Sequence, residues 1–253
     1  MENTPIEAKF VKYHLTHIKL SKSGFFYGKN DYLCSLIYNK KFLQTMINRI
    51  LIRIKVLQIV YSYYQNGNGD LKVAENELLF SLQKSYDLYY YFLLLIIEVT
   101  NLQRRILDTR KCKYMPTDEE LNPNTRFVDN RFVAQLAEND TLKKYVDEQG
   151  LSWSNDEEFV KNVLDTILSS EIYAEYLKNE EDSYETDREF WRQIFKKVIC
   201  GNEMIEEYLE DKSIYWNDDI EIVETFALKT IKKFEEKKGS KQALLPMFKV
   251  VER

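Results

Sequence analysis

"LKVAENELLFSLQKSYDLYYYFLLLIIEVTNLQRRI" (71–106) decides the fold class. Leu71, Ala74, Leu78, Leu82, Tyr86, Tyr89, Leu93 and Ile96 recur at steps of three and four, and Val99, Leu102 and Ile106 continue the series. That period belongs to a helix with one buried face. Neither proline nor glycine interrupts it. The spacing predicts a helix of about 40 residues, about 60 Å long at 1.5 Å per residue. A helix of that length needs partners along it, so the reading is all-α: a helical bundle around one long central helix. The apolar run "LYYYFLLLII" (88–97) lies between Asp87 and Glu98. It falls short of the about 20 residues a bilayer span requires, so it reads as a buried helix segment rather than a membrane span. The tyrosines of "SYDLYYYF" read as core rather than as a base-stacking platform.

The rest of the chain agrees. Only 7 Gly and 4 Pro occur in 253 residues, too few for the turns of an all-β fold. Hydrophobic residues make up 44% and charged residues 30%, the balance of a globular protein. Cys34, Cys112 and Cys200 lie far apart and form no CxxC, which suits a reducing, cytoplasmic setting. Residues 1–20 mix polar and apolar side chains and do not read as a secretory signal, so no glycosylation is expected at the sequon Asn139-Asp140-Thr141.

Charge is unevenly spread. Residues 1–65 carry ten Lys/Arg against three acids, and residues 114–185 carry six against eighteen. A basic end of this kind suits nucleic acid, with acidic surfaces elsewhere. Three stretches follow: a poorly patterned leader (1–45), N-terminal RNA-binding helices (46–112), and an acidic helical segment (113–253). Pro116 and Pro123 in "KYMPTDEELNPN" mark the second boundary. Within the third stretch, helices are expected near 126–138, 140–149, 156–168, 171–178, 187–200, 202–212, 218–236 and 240–248. Ser154 or Asn155 and Thr186 are the expected caps.

Catalytic motifs are missing from the sequence: no HExxH, GxSxG, Walker loop or GxGxxG. A general acid needs a buried, shifted carboxyl, and the acidic runs look solvated, so no catalytic residue is expected. His14 and His17 share an i,i+3 spacing without a third ligand, so no metal is expected, and no cofactor either.

"INRILIRIKVLQIVYSYYQ" (47–65) concentrates Arg49, Arg53 and Lys55 in one helix, behind a possible Thr45 cap. Ile50, Ile54, Leu57 and Tyr61 are expected to form its apolar face, with Arg49 and Arg53 on a neighbouring stripe. Together the three cations would neutralise about three phosphates, a salt slope of about -2 at roughly -0.7 per contact. Binding through so few contacts is weak without a protein partner.

This stretch resembles the first helix of the NusB family of transcription antitermination factors, which leads from arginines into a "VQALY"-like core motif. "LQIVY" matches that motif, with Gln58 and Tyr61 in its Gln and Tyr places, and Arg49 and Arg53 match two arginine positions. "KSYDLYYYFLLLIIEVTN" (84–101), "DREFWRQIFKKVI" and "WNDDIEIVETFALKTIKKF" resemble a longer, insertion-bearing branch of the family. The resemblance covers roughly residues 46–249. It implies a non-catalytic, all-helical protein that binds single-stranded boxA-like RNA together with NusE, a ribosomal small-subunit protein, in the transcription elongation complex. Met46 matches the family start, which makes residues 1–45 an expected mis-assigned start, and the family's C-terminal helices would follow "LLPMFK", so residues 113–253 are expected to be an acidic insertion and the start of an incomplete C-terminal half. On that reading the 71–111 helix is expected to lack neighbours and to leave apolar surface uncovered. Related alternatives are the NusB-like domain of a ribosomal RNA methyltransferase and a purely structural helical scaffold.

Overall fold

The computed structural model describes residues 49–67 and 70–246. The chain divides into Met1–Leu43 and Gln44–Arg253, and the description concerns the second unit. The possible Thr45 cap, the two histidines and Cys34 lie outside the described residues.

Among the described residues there is no strand. Helix α1 (Arg49–Gln65) turns at Asn66 and Gly67 into α2 (Leu71–Lys111), the long helix. Asp70 caps α2, its side chain accepting from the Lys72 backbone N–H at 2.9 Å, while Arg110 and Lys111 meet the negative end of the dipole. Next come α3 (Asp118–Leu121), α4 (Arg131–Ala137), α5 (Asp140–Gln149), α6 (Glu157–Leu168), α7 (Glu171–Lys178) and α8 (Tyr184–Ile194). A π turn (Phe195–Ile199), α9 (Glu203–Lys212), α10 (Ile220–Lys233) and a short 3-10 turn (Glu236–Lys241) complete the order.

The all-α class holds, and the expected bare helix does not. Helix α2 packs against α1, α3, α4, α5, α6 and α10. Leu88, Phe92, Leu93, Leu95, Ile96, Val99 and Leu102 are all buried. The segment after residue 113 folds back over α2 and supplies its cover. Three polar contacts fix the cover to the helix. The Trp216 indole donates to the Lys84 carbonyl at 2.8 Å, the Trp153 indole to the Tyr91 carbonyl at 3.1 Å, and Tyr89 shares a 2.6 Å hydrogen bond with Thr230. The tyrosines are core, as read: Tyr89 and Tyr90 are buried, and Tyr90 stacks on Tyr145 with centroids 3.8 Å apart.

Aromatic packing also holds α9 in place. Lys212 lies over Trp153 at 5.0 Å, Tyr91 at 5.2 Å and Tyr208 at 5.7 Å, and it pairs with Asp156. Two caps differ from expectation. Ser183, not Thr186, caps α8, its hydroxyl accepting from the Thr186 N–H at 3.2 Å, so α8 starts a turn early and buries Tyr184. Asp156 sits at the start of α6 without a capping bond, because its carboxylate is spent on Tyr208 and Lys212.

Asn139 is fully buried. Its side-chain oxygen caps α5 through the Leu142 N–H at 3.0 Å, and its amide donates to the carbonyls of Gln242 at 2.7 Å and Ser240 at 3.2 Å. The residue of the sequon is thus the anchor of the 236–242 segment.

Phe92 meets Phe195 edge-on at 5.6 Å, joining α2 to the π turn. Because this contact sits in the core shared by both halves, Phe92→Ala is expected to cost about 3–5 kcal/mol. Urea unfolding checks it: a loss under about 1 kcal/mol would mean that the segment after residue 113 does not hold α2.

Candidate nucleic-acid interface

The rotation of α1 about its own axis determines which side chains reach solvent. Leu51, Lys55 and Ile59, spaced by four, are buried against α2 and the loop before α10. Arg53, Leu57, Tyr61 and Tyr64 face outward, the last three 42%, 57% and 51% exposed. The expected apolar face is therefore displaced. Ile54 is half-buried, Leu57 and Tyr61 are on the surface, and the Ile50 side chain lies outside the described residues.

Lys55 causes the displacement. It is only 2% exposed. Its ammonium pairs with the Asp219 carboxylate at 2.9 Å and donates to the Tyr215 carbonyl at 2.7 Å. Asp219 also accepts from the Ser85 hydroxyl of α2 at 2.5 Å. One turn along α1, the Gln58 amide donates to Asp218 at 2.6 Å. Burial pushes the Asp219 carboxyl above its ordinary range, against the pull of Lys55 and Ser85. Lys55 thus lies on the packed side of α1, paired with Asp219, and not on the exposed stripe where the sequence placed it beside Arg49 and Arg53.

Of the three expected cations, Arg53 stands exposed, and Arg49 lies one turn earlier in the same helix. Arg53 shares the exposed face of α1 with two aromatic rings. Tyr61 accepts a hydrogen bond from the Gln65 amide at 3.1 Å, and Tyr63 meets Tyr64 edge-on at 5.8 Å. Cation and rings along one helix face are the elements of a single-strand platform. Tyr61 belongs to the apolar face expected from the sequence, yet its ring is exposed. The signal against that was the wheel position of Lys55, midway between Leu51 and Ile59.

One buried carboxyl also escaped the sequence reading. Glu224 of α10 is 5% exposed, with one oxygen unpartnered. The Cys200 thiol and the Gly201 backbone N–H bond its carboxyl. Burial first, and the nearby Glu206 charge second, push it up to about 7. Burial likewise pushes the Cys200 thiol up to about 12, so it stays protonated and poorly nucleophilic. Glu224 lines neither the cavity beside α1 nor the one beside α7 and α8. Among the described residues, no three His, Cys, Asp or Glu side chains are grouped to hold a metal. No helix there is long and apolar enough to cross a membrane.

No protein-family model matches this chain, and neither a curated protein nor a solved structure matches it.

Glu224 makes stability depend on pH in a defined direction. Its folded value of about 7 exceeds the ordinary 4.5, so the folded protein holds a proton that the unfolded chain releases. That contribution is complete below about pH 4.5 and is lost as pH rises through about 7. The loss is about 1–3 kcal/mol, at roughly 1.4 kcal/mol per unit. Melting curves at pH 5 and pH 8 are expected to show a smaller fall for Glu224→Gln than for the parent. An unchanged pH response would place the dependence on other groups.

Proposed function

We propose that this chain is an RNA-binding factor of the NusB kind, acting in transcription antitermination without catalysis. The observation that carries the reading is the outward face of α1: an exposed arginine in line with exposed Tyr61 and Tyr64. The family-like motif in the same helix supports it. Gln58 and Lys55, inside or beside that motif, tie α1 to the loop before α10 and so hold the arginine face outward.

In this reading Arg53, with Arg49 a turn away, pairs phosphates through two parallel N–H donors. Tyr61 stacks on a base, a contact worth about 1–3 kcal/mol in single-strand binders. With Lys55 withdrawn, two backbone contacts remain, and the expected salt slope falls to about -1.4. So few contacts make the chain dependent on a partner, and the ribosomal small-subunit protein NusE within the elongation complex is the partner proposed. The RNA is single-stranded and boxA-like, and the setting is the cytoplasm.

A second reading, a helical scaffold for another protein, is favoured by Val73, Leu79 and Phe80 of α2, which stand 64%, 48% and 47% exposed.

Fluorescence anisotropy with a labelled boxA-like RNA separates the two. Arg53→Ala and Tyr61→Ala are each expected to weaken binding about tenfold while shifting stability by less than about 1 kcal/mol. Arg53→Ala is also expected to flatten the salt slope by about one contact. If both variants bind RNA like the parent at low salt, α1 is a solvated bundle helix and the scaffold reading takes its place.

A further inference from the structure

A cavity of about 590 Å³ opens between α1, the start of α2 and the loop 214–218. It shares no residue with the Arg53–Tyr61–Tyr64 face and does not rest on the RNA reading. Its volume lies within the usual range for small-molecule sites.

Two features of its wall point to one kind of ligand. The first is Lys55, which lines the cavity although it is almost wholly buried. An ammonium has three N–H donors. One reaches Asp219 and one the Tyr215 carbonyl, and the third has no partner among the described residues. Leaving a buried donor unpaired is unfavourable, so the cavity presents a place for an acceptor. The second is a pair of carboxylates on the same wall. Glu77 accepts from the Tyr215 hydroxyl at 2.7 Å, and Asp218 accepts from the Gln58 amide at 2.6 Å. Both donors are neutral, and neither acid has a cation within ion-pair distance among the described residues. Since Asp219 already balances Lys55, the wall carries net negative charge. A phosphate-bearing ligand would be repelled, and an organic cation would be attracted.

We propose that this cavity binds a small molecule with the chemistry of a basic amino acid: a guanidinium or ammonium that meets Glu77 and Asp218, and a carboxylate that meets the free N–H of Lys55. The Tyr63 ring, also on the wall, gives the aliphatic stem an apolar surface.

Isothermal titration calorimetry of the full chain at low ionic strength, with L-arginine as the probe, tests the proposal. Arginine is expected to bind saturably below about 10 mM. L-citrulline, which keeps the shape and loses the charge, is expected to bind about tenfold more weakly, as is agmatine, which lacks the carboxylate. Glu77→Gln and Asp218→Asn keep the acceptors used by Tyr215 and Gln58, so each is expected to melt like the parent and to bind arginine about tenfold more weakly. No saturable arginine binding overturns the proposal, as does equal binding of arginine and citrulline, or variants that bind like the parent. Equal binding of arginine and agmatine overturns the contact with Lys55. If a variant fails to fold, the arginine–citrulline comparison on the parent decides.

Discussion

The ion pair between Lys55 and Asp219 sets the rest of the account. Both residues are buried, and the pair draws in Ser85 of α2 and the Tyr215 carbonyl of the preceding loop. Two charges removed from water are costly unless geometry and hydrogen bonds compensate. Here three separate parts of the chain supply the compensation on Asp219 Oδ2 and the Lys55 ammonium, while Asp219 Oδ1 is buried without a partner among the described residues. The pair therefore fixes how α1 is turned, and turning α1 by one residue, about 100°, would put Lys55 among apolar groups without its partner. Arg53, Leu57 and Tyr61 are on the surface because Leu51, Lys55 and Ile59 are not.

The second constraint is the length of α2. Its apolar face from Leu88 to Leu107 needs cover, and short helices packed against it provide it in pieces. Several pieces are fixed by a polar contact to the long helix or to their neighbours. Asn130 caps α4 through the Val133 N–H at 3.1 Å and donates to Tyr176 and to the Asp187 carbonyl. Tyr145 of α5 donates to Asp87 at 2.8 Å, where Lys84 also pairs at 2.8 Å. The acidic character of residues 114–185 follows from this architecture. Short helices expose much of their outer surface, and Glu and Asp at their first turns favour the helix dipole.

Much of this fold was legible in the sequence. The three-and-four spacing of 71–106 is strong over so many turns that helix and buried face both follow from it, and the helices at 140–149 and 171–178 fall where the periodicity places them. The site was harder to read. Lys55 looked like surface because lysine is seldom buried without a partner, and its partner lies more than 150 residues away in "WNDD", beyond any local pattern. Ser183 was passed over as a cap because Thr186 has the same chemistry three residues on. Glu224 carried no sign of its environment at all, because burial by Cys200 and the π turn depends on how α8 and α10 meet.

A double-mutant cycle tests the central claim most directly. Lys55→Met, Asp219→Leu and the pair of changes together would be compared with the parent by urea unfolding. Each single change leaves a buried charge unpaired and is expected to cost about 3–5 kcal/mol. The double change should recover much of that, leaving a coupling of about 2 kcal/mol or more. Additive losses, with coupling under about 0.5 kcal/mol, would show that the pair does not set the turn of α1 and would remove the reason for Arg53 and Tyr61 to face outward.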